Sequence, residues 1–184
     1  MEIDIKQEEI SIGDKFQIFV NGKQAYTASA KLFRAFSEID LSELDSNKPK
    51  YVIKKRFSLF KVKYDIEKWD HSVFKFRTKA IWKSHFYCHA GQDLYEIFEH
   101  RGRKCSVYKN DIQIACWDKE AVTLLNGDNY KIIADVDSDY ELLISFCLIL
   151  DNSFSDNNSG NSITVNLGKI GLQAKNFNPE WRPK

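Results

Sequence analysis

The chain has 184 residues, 43% of them apolar and 14% aromatic, which excludes a disordered or low-complexity polymer and gives one ordinary domain a sizeable core. Its 27 basic and 26 acidic residues leave a formal net charge of +1, so no whole-molecule field draws it to nucleic acid or membrane, and any anion-binding surface must be local. The acidic opening MEIDIKQEEI lacks an apolar signal core, and Cys88, Cys105, Cys116 and Cys147 are too sparse for a disulfide framework; both features predict a cytoplasmic protein with reduced thiols.

In chain order, Phe16–Val20 and Lys23–Ala28 read as strands joined by an Asn21-Gly22 hairpin turn. Ser29–Phe36 fits either a helical turn or a bent strand, and its periodicity does not choose between them. Ile39–Leu44 alternates, and Asp45–Pro49 is a turn. Tyr51–Phe57 and Phe60–Glu67 are strands. The second carries Phe60, Val62, Tyr64 and Ile66 on one face against Lys61, Lys63, Asp65 and Glu67 on the other. Val73–Lys79 answers it, with Phe74 and Phe76 apolar and Lys75, Arg77 and Lys79 polar. Ile81–His89, Leu94–Glu99, Cys105–Lys109, Ile112–Trp117 and Asn129–Val136 bring the count to about a dozen strands. Segments beginning at Phe16, Tyr64 and Cys105 share a strand–turn–strand form at irregular spacing, which is repeated hairpin use inside one barrel.

The chain then changes character. In YELLISFCLIL, Tyr140–Leu150, the apolar residues cover about 260° of a helical wheel, and Glu141, Ser145 and Asn152 form a narrow polar stripe. Such a helix has to be enclosed, and it is shorter than the ~20 apolar residues a bilayer span needs. Ser138 and Glu141 fit a capping box at its start; Asp151, Asn152 and SFSDNNSGNS, Ser153–Ser162, are its stop signal. Many short strands followed by one enclosed helix predict a mainly β fold, a closed antiparallel barrel of about twelve strands around a C-terminal hydrophobic helix. The expected division is one barrel domain over residues 1–162, with its helix at about 138–151, and a C-terminal extension over 163–184 that includes a strand Ser162–Leu167 and the tail FNPEWRPK. That extension has three candidate roles: an added edge strand, a cover for a barrel end, or a docking segment for a partner.

The order of hairpins, and above all NYKIIADVDSDYELLISFCLILDNSF from Asn129 to Phe154, resembles the tubby C-terminal-like superfamily, especially the LURP-one-related proteins and the phospholipid scramblase domain. The resemblance runs from about Phe16 to Phe154. It implies the same barrel threaded by its C-terminal helix. It also implies the chemistry of relatives: tubby proteins bind phosphoinositides through basic residues on the barrel surface, and scramblases are linked to calcium and lipid movement.

Matching apolar faces sets Ile66 opposite Phe74, Tyr64 opposite Phe76 and Val62 opposite Thr78, which places Asp65 opposite Lys75, Lys63 opposite Arg77 and Lys61 opposite Lys79. Like charges directly opposed are destabilising, so two such pairs side by side suggest an anion between them. Lys75-x-Arg77 also resembles the Lys-x-Arg element of phosphoinositide-binding tubby domains. The candidate lipid- or anion-binding set is therefore Lys61, Lys63, Lys75, Arg77 and Lys79, with Lys54, Lys55 and Arg56 as an extension. The alternative is a solvated outer face with splayed side chains.

Three other groups are weaker. Asp135, Asp137 and Asp139 have the spacing of calcium ligands, but an EF-hand loop from Asp135 needs Gly at Tyr140 and Glu at Phe146, and helix-dipole stabilisation explains them more simply. His85 and His89 share one strand face while Cys88 points to the other, which disfavours a metal site. A two-residue turn at Asn110-Asp111 puts Cys105 opposite Cys116 as unlinked thiols. No catalytic motif, cofactor or metal site is expected. The sequence predicts a non-enzymatic binding module, a monomer with no transmembrane span and no nucleic-acid partner, cytoplasmic and peripheral at membranes, that recognises an anionic phospholipid headgroup or an acidic protein partner. The alternatives are a protein-interaction scaffold working through its ends and the tail around Trp181, and a scramblase-like lipid-associated protein.

Overall fold

The computed structural model describes residues 1–8, 15–33, 36–46, 48–59, 61–80, 84–101, 104–119, 129–158 and 174–184. Twelve strands precede one helix: β1 Glu2–Glu8, β2 Lys15–Val20, β3 Lys23–Phe33, β4 Phe36–Glu43, β5 Tyr51–Lys55, β6 Lys63–Lys68, β7 Val73–Ala80, β8 His85–Ala90, β9 Asp93–His100, β10 Lys104–Lys109, β11 Ile112–Lys119 and β12 Asn129–Ala134, then α1 Tyr140–Asn158. Each strand pairs antiparallel with its chain neighbours, and β1 closes the ring against β12. The alternating pattern read in the sequence is the barrel wall: Ile3, Ile5, Ile18, Ile53, Tyr64, Ile66, Phe76 and Ile132 are all fully buried and point inward, while their sequence neighbours face out.

The helix fills the lumen. Every residue from Leu142 to Leu150 is 2% exposed or less, and Phe146 packs between the rings of Phe76 and Tyr95 at 5.6 and 5.7 Å. Among the described side chains, Glu141, Ser145, Asp151 and Asn152 find polar partners. Glu141 accepts hydrogen bonds from the Tyr26 hydroxyl and pairs with Lys50 at 2.6 Å. Ser145 Oγ donates back to the Glu141 carbonyl at 2.9 Å. At the far end the Tyr130 hydroxyl donates to Asp151, and Asn152 Nδ2 donates to Ser37 and Tyr64 hydroxyls, both at 2.7 Å. These contacts fix the rotation and depth of an element whose apolar faces alone would tolerate slippage, because a displaced polar group would be buried unpaired.

The two ends of the barrel differ. Tight turns close one end, where Asn21, Gly22, His71, Gly91, Asn110 and Asp111 take left-handed backbone with φ between 49 and 77°, as short hairpin turns favour. The helix starts at this end and finishes at the other.

Several boundaries depart from the sequence reading. Glu2–Glu8 is a strand that reading passed over, although Ile3 and Ile5 alternate within an acidic segment. Of Ser29–Phe36, residues 29–33 and 36 are strand, with Phe33 paired to Phe36, and residues 34–35 lie outside the described residues. The strand placed at Tyr51–Phe57 ends at Lys55, and the one placed at Phe60–Glu67 begins at Lys63. Phe60, residues 81–83 of the strand placed at Ile81–His89, and the strand placed at Ser162–Leu167 lie outside the described residues. The helix is capped by Asp139, not Ser138: Asp139 Oδ1 accepts the Leu142 N–H at 3.0 Å, while Ser138 Oγ has no partner among the described residues. Glu141 cannot complete a capping box because Tyr26 and Lys50 hold it. The helix also runs past Asp151 to Asn158.

The final residues lie along the outside of β9–β11. Trp181 Nε1 donates to the Gln113 carbonyl at 3.2 Å, Lys175 Nζ sits 3.6 Å from the Tyr108 ring centroid, Phe177 meets His100 at 5.3 Å, and the Lys184 N–H donates to Asp135 at 2.7 Å. The described part of the extension, residues 174–184, thus covers part of a side wall. Asp139→Ala should cost about 1 kcal/mol of stability, and urea unfolding of the two proteins checks it; an unchanged midpoint would mean that the cap contributes nothing.

Candidate functional site

The candidate basic set lies on the outer face of β5–β8, because the inward residues of these strands, Ile53, Tyr64, Ile66, Phe76 and Cys88, are committed to the core. The register is the one the apolar pattern dictates: Asp65 opposes Lys75, Lys63 opposes Arg77, and Lys54 lies beyond Asp65 on β5. Lys61 sits in the β5–β6 connection, ahead of β6, so it has no ladder partner. Lys79 adjoins an irregularity in the β7–β8 ladder between Thr78 and Ala80.

The opposed cations do not face each other unscreened. Arg77 Nη2 turns to Asp65 at 2.5 Å, and its Nη1 donates to the carbonyls of Tyr64 and Phe76. Arg56 reaches Asp65 at 2.7 Å and Glu67 at 3.6 Å, and Lys54 reaches Glu67 at 2.6 Å. Lys79 pairs with Glu96 at 2.6 Å on the next hairpin, where His85 Nε2 also lies 3.0 Å from the carboxylate. Lys61, Lys63 and Lys75 enter no ion pair among the described residues. The like-charge argument drawn from the sequence therefore fails for Arg77 and Lys79, because carboxylates reach them diagonally or from the next hairpin.

The titration behaviour agrees with this geometry. Partial burial pushes the Asp65 carboxyl up, but the hydrogen bonds and charges of Arg77 and Arg56 outweigh it and hold the group below the usual aspartate range. Glu96 is likewise held low against the opposing effect of burial, chiefly by its hydrogen bond from Lys79. Burial lowers His85 despite the nearby Glu96 charge, so at neutral pH it is an uncharged donor to Glu96.

The remaining candidates have structural placements. Asp135 receives the Lys184 N–H, Asp139 caps the helix and Asp137 faces solvent. Among the described residues no cluster of His, Cys, Asp and Glu is arranged to hold a metal ion. Cys88 is fully enclosed and burial pushes its thiol up to about 12, which leaves it without thiolate character near neutral pH. A bulge between Val107 and Tyr108 sets Cys105 opposite Trp117 and Ser106 opposite Cys116, so the two thiols lie on opposite faces of the wall and the expected Cys105–Cys116 opposition does not occur. A shallow cleft of about 280 Å³ outside β2–β4 presents both signs, with Glu8, Lys15 and Asp40 among its lining.

The barrel and its enclosed helix coincide with a family match over residues 1–151, described as LURP-one-related. The chain belongs to the LURP-one-related family. The match begins at the first residue, ahead of the Phe16 start that the sequence resemblance gave, because β1 is part of the barrel. No curated protein and no solved structure matches the chain. No described helix of this LURP-one-related barrel is long and apolar enough to cross a membrane.

Sequence reasoning set Asp65 and Glu67 on this face but missed their pairing with Lys54, Arg56 and Arg77, and it missed Glu96 of β9, which reaches Lys79 from the next hairpin. Replacing Arg77 by Ala should destabilise the barrel by about 1–2 kcal/mol, whereas Lys75→Ala should change stability by less than about 0.5 kcal/mol. Denaturant unfolding measures both. Because the folded Asp65 carboxyl ionises below its unfolded value, its contribution is complete above about pH 4 and is lost as pH falls further. Asp65→Asn should flatten that acid limb.

Proposed function

We propose that this LURP-one-related barrel is a non-enzymatic module that binds an anionic membrane surface reversibly, through a headgroup of the phosphoinositide type. The observation that carries this reading is the trio Lys61, Lys63 and Lys75, which stands beside a network that has already consumed the local carboxylates. Asp65, Glu67 and Glu96 are each engaged by cations, so they do not fold back onto these three lysines. Arg77 and Lys79 belong to the same face in a different role. Arg77 ties its guanidinium to two backbone carbonyls and Asp65, which fixes the hairpin that presents Lys63 and Lys75. Lys79, half exposed, remains near enough to add to the field. Family membership supports a lipid- or protein-binding module of the tubby type, and the free lysines favour an anionic ligand over an apolar one. An apolar ligand carried inside the barrel is disfavoured because α1 occupies the lumen. A scaffold reading through the tail is disfavoured because Trp181 and Phe177 are already engaged by the barrel wall.

The charges act as a group at the surface, each contributing about 1 kcal/mol near an anionic bilayer and fading beyond a Debye length. Reversing all three, Lys61→Glu with Lys63→Glu and Lys75→Glu, should therefore weaken sedimentation with phosphoinositide-containing vesicles by about a hundredfold or more at low salt, with the unfolding midpoint little changed. Equal binding by the wild type and the triple variant would remove this reading.

A further inference from the structure

The β5–β6 connection presents a second feature on the same side of the molecule. Phe57 is 66% exposed and Leu59 is 76% exposed, and basic residues flank both in the sequence, Arg56 before them and Lys61 and Lys63 after. Isolated exposed apolar side chains are ordinary on protein surfaces. Two of them at one protruding tip, set against unpaired lysines, are a different case. The base of the connection is anchored: the Arg56 N–H donates to the Lys63 carbonyl at 2.8 Å, the Thr78 N–H to the Val62 carbonyl at 3.0 Å, and the Val62 N–H to Thr78 Oγ1 at 2.8 Å. The Lys61 N–H also bonds Ser58 Oγ at 3.3 Å. The tip is thus carried outward on a fixed stem.

The other exposed apolar residues sharpen the contrast. Among the described residues, Leu44, Trp69, Val73, Ile112 and Val136 lie at the tight-turn end of the barrel, and all but Val73 adjoin an aspartate in sequence: Asp45, Asp70, Asp111, and both Asp135 and Asp137. That end mixes both signs, since Lys23, Lys48, Lys68 and Lys109 stand at the same turns. At the opposite end, apolar tip and positive charge coincide, the combination that places a segment at the boundary between headgroups and acyl chains.

We propose that the β5–β6 tip is a membrane wedge: Phe57 and Leu59 enter the interfacial region of an anionic bilayer while Lys61 and Lys63 stay at the headgroups. The barrel then docks with its loop end toward the lipid and its tight turns away. This rests on the anionic-surface reading above and adds a depth and an orientation to it. Apolar insertion and electrostatic attraction respond differently to salt, so part of the binding should survive ionic strengths that screen the lysines.

The test uses the full chain with Phe57→Trp or Leu59→Trp, and phosphoinositide-containing phosphatidylcholine vesicles in which the phosphatidylcholine is brominated on its acyl chains. Each variant should show a blue shift and acyl-chain quenching in excess of the wild type, whose four native tryptophans, Trp69, Trp82, Trp117 and Trp181, set the background. The double variant Phe57→Ser with Leu59→Ser, which alters only exposed side chains, should bind the same vesicles at least tenfold more weakly with an unchanged unfolding midpoint. Vesicle binding without acyl quenching would overturn the wedge and leave the electrostatic reading standing. Absence of vesicle binding by the wild type would overturn both. If the serine variant bound vesicles like the wild type but lost self-association in sedimentation velocity, the tip would be a contact between copies of this chain and the wedge would fall.

Discussion

An apolar helix inside a closed wall is the constraint that the rest of this molecule obeys. Once α1 occupies the lumen, every strand must turn one set of side chains inward to meet it, and a slip of a single residue in any strand would put charge against leucine. The polar groups at both helix ends make the arrangement specific. Glu141 with Tyr26 and Lys50 at the entry, and Asp151 and Asn152 with Tyr130, Ser37 and Tyr64 at the exit, act as pins whose displacement would leave buried groups unpaired.

The same constraint gives the outer face its character. Charged residues of β5–β8 have no inward option, so cations and carboxylates gather on one curved surface and must sort themselves there. They do so through diagonal and cross-hairpin pairs, and the pairing is incomplete. Exposed ion pairs contribute little to stability, yet they decide which charges remain available to a ligand. Asp65 illustrates this: by holding Arg56 and Arg77 together it shapes the hairpin and removes two cations from the available set, so that Lys61, Lys63 and Lys75 are the ones offered to solvent.

The fold was legible in the sequence because its two strongest signals are long and periodic. The continuous apolar surface of Tyr140–Leu150 and the alternation of Tyr64–Ile66–Phe74–Phe76 each specify burial, and together they imply enclosure. The misses have local physical causes. β1 was hidden because its outward residues are acidic and only Ile3 and Ile5 mark it. The cap moved one residue because Glu141 was drawn to Tyr26, a partner distant in sequence. The Cys105 register shifted at a bulge that no turn residue announces. At the candidate site the register was readable, since it follows from burial. The ion pairing was not, because long side chains choose among several partners and the winning carboxylates lie on diagonals or on another hairpin. Phe57 falls inside the strand expected over Tyr51–Phe57 and Leu59 between two expected strands, and only the place where pairing stops, at Lys55, reveals that both side chains point to solvent.

Native-state amide hydrogen exchange tests the enclosure directly. If α1 is held inside a closed wall, the amides from Ile144 to Leu150 can reach solvent only when the barrel opens as a whole, so their exchange free energies should equal the global unfolding free energy measured on the same protein. Exchange of these amides well below that value, while β6 and β7 stay protected, would mean that the helix leaves or frays without the wall unfolding, and would contradict the account.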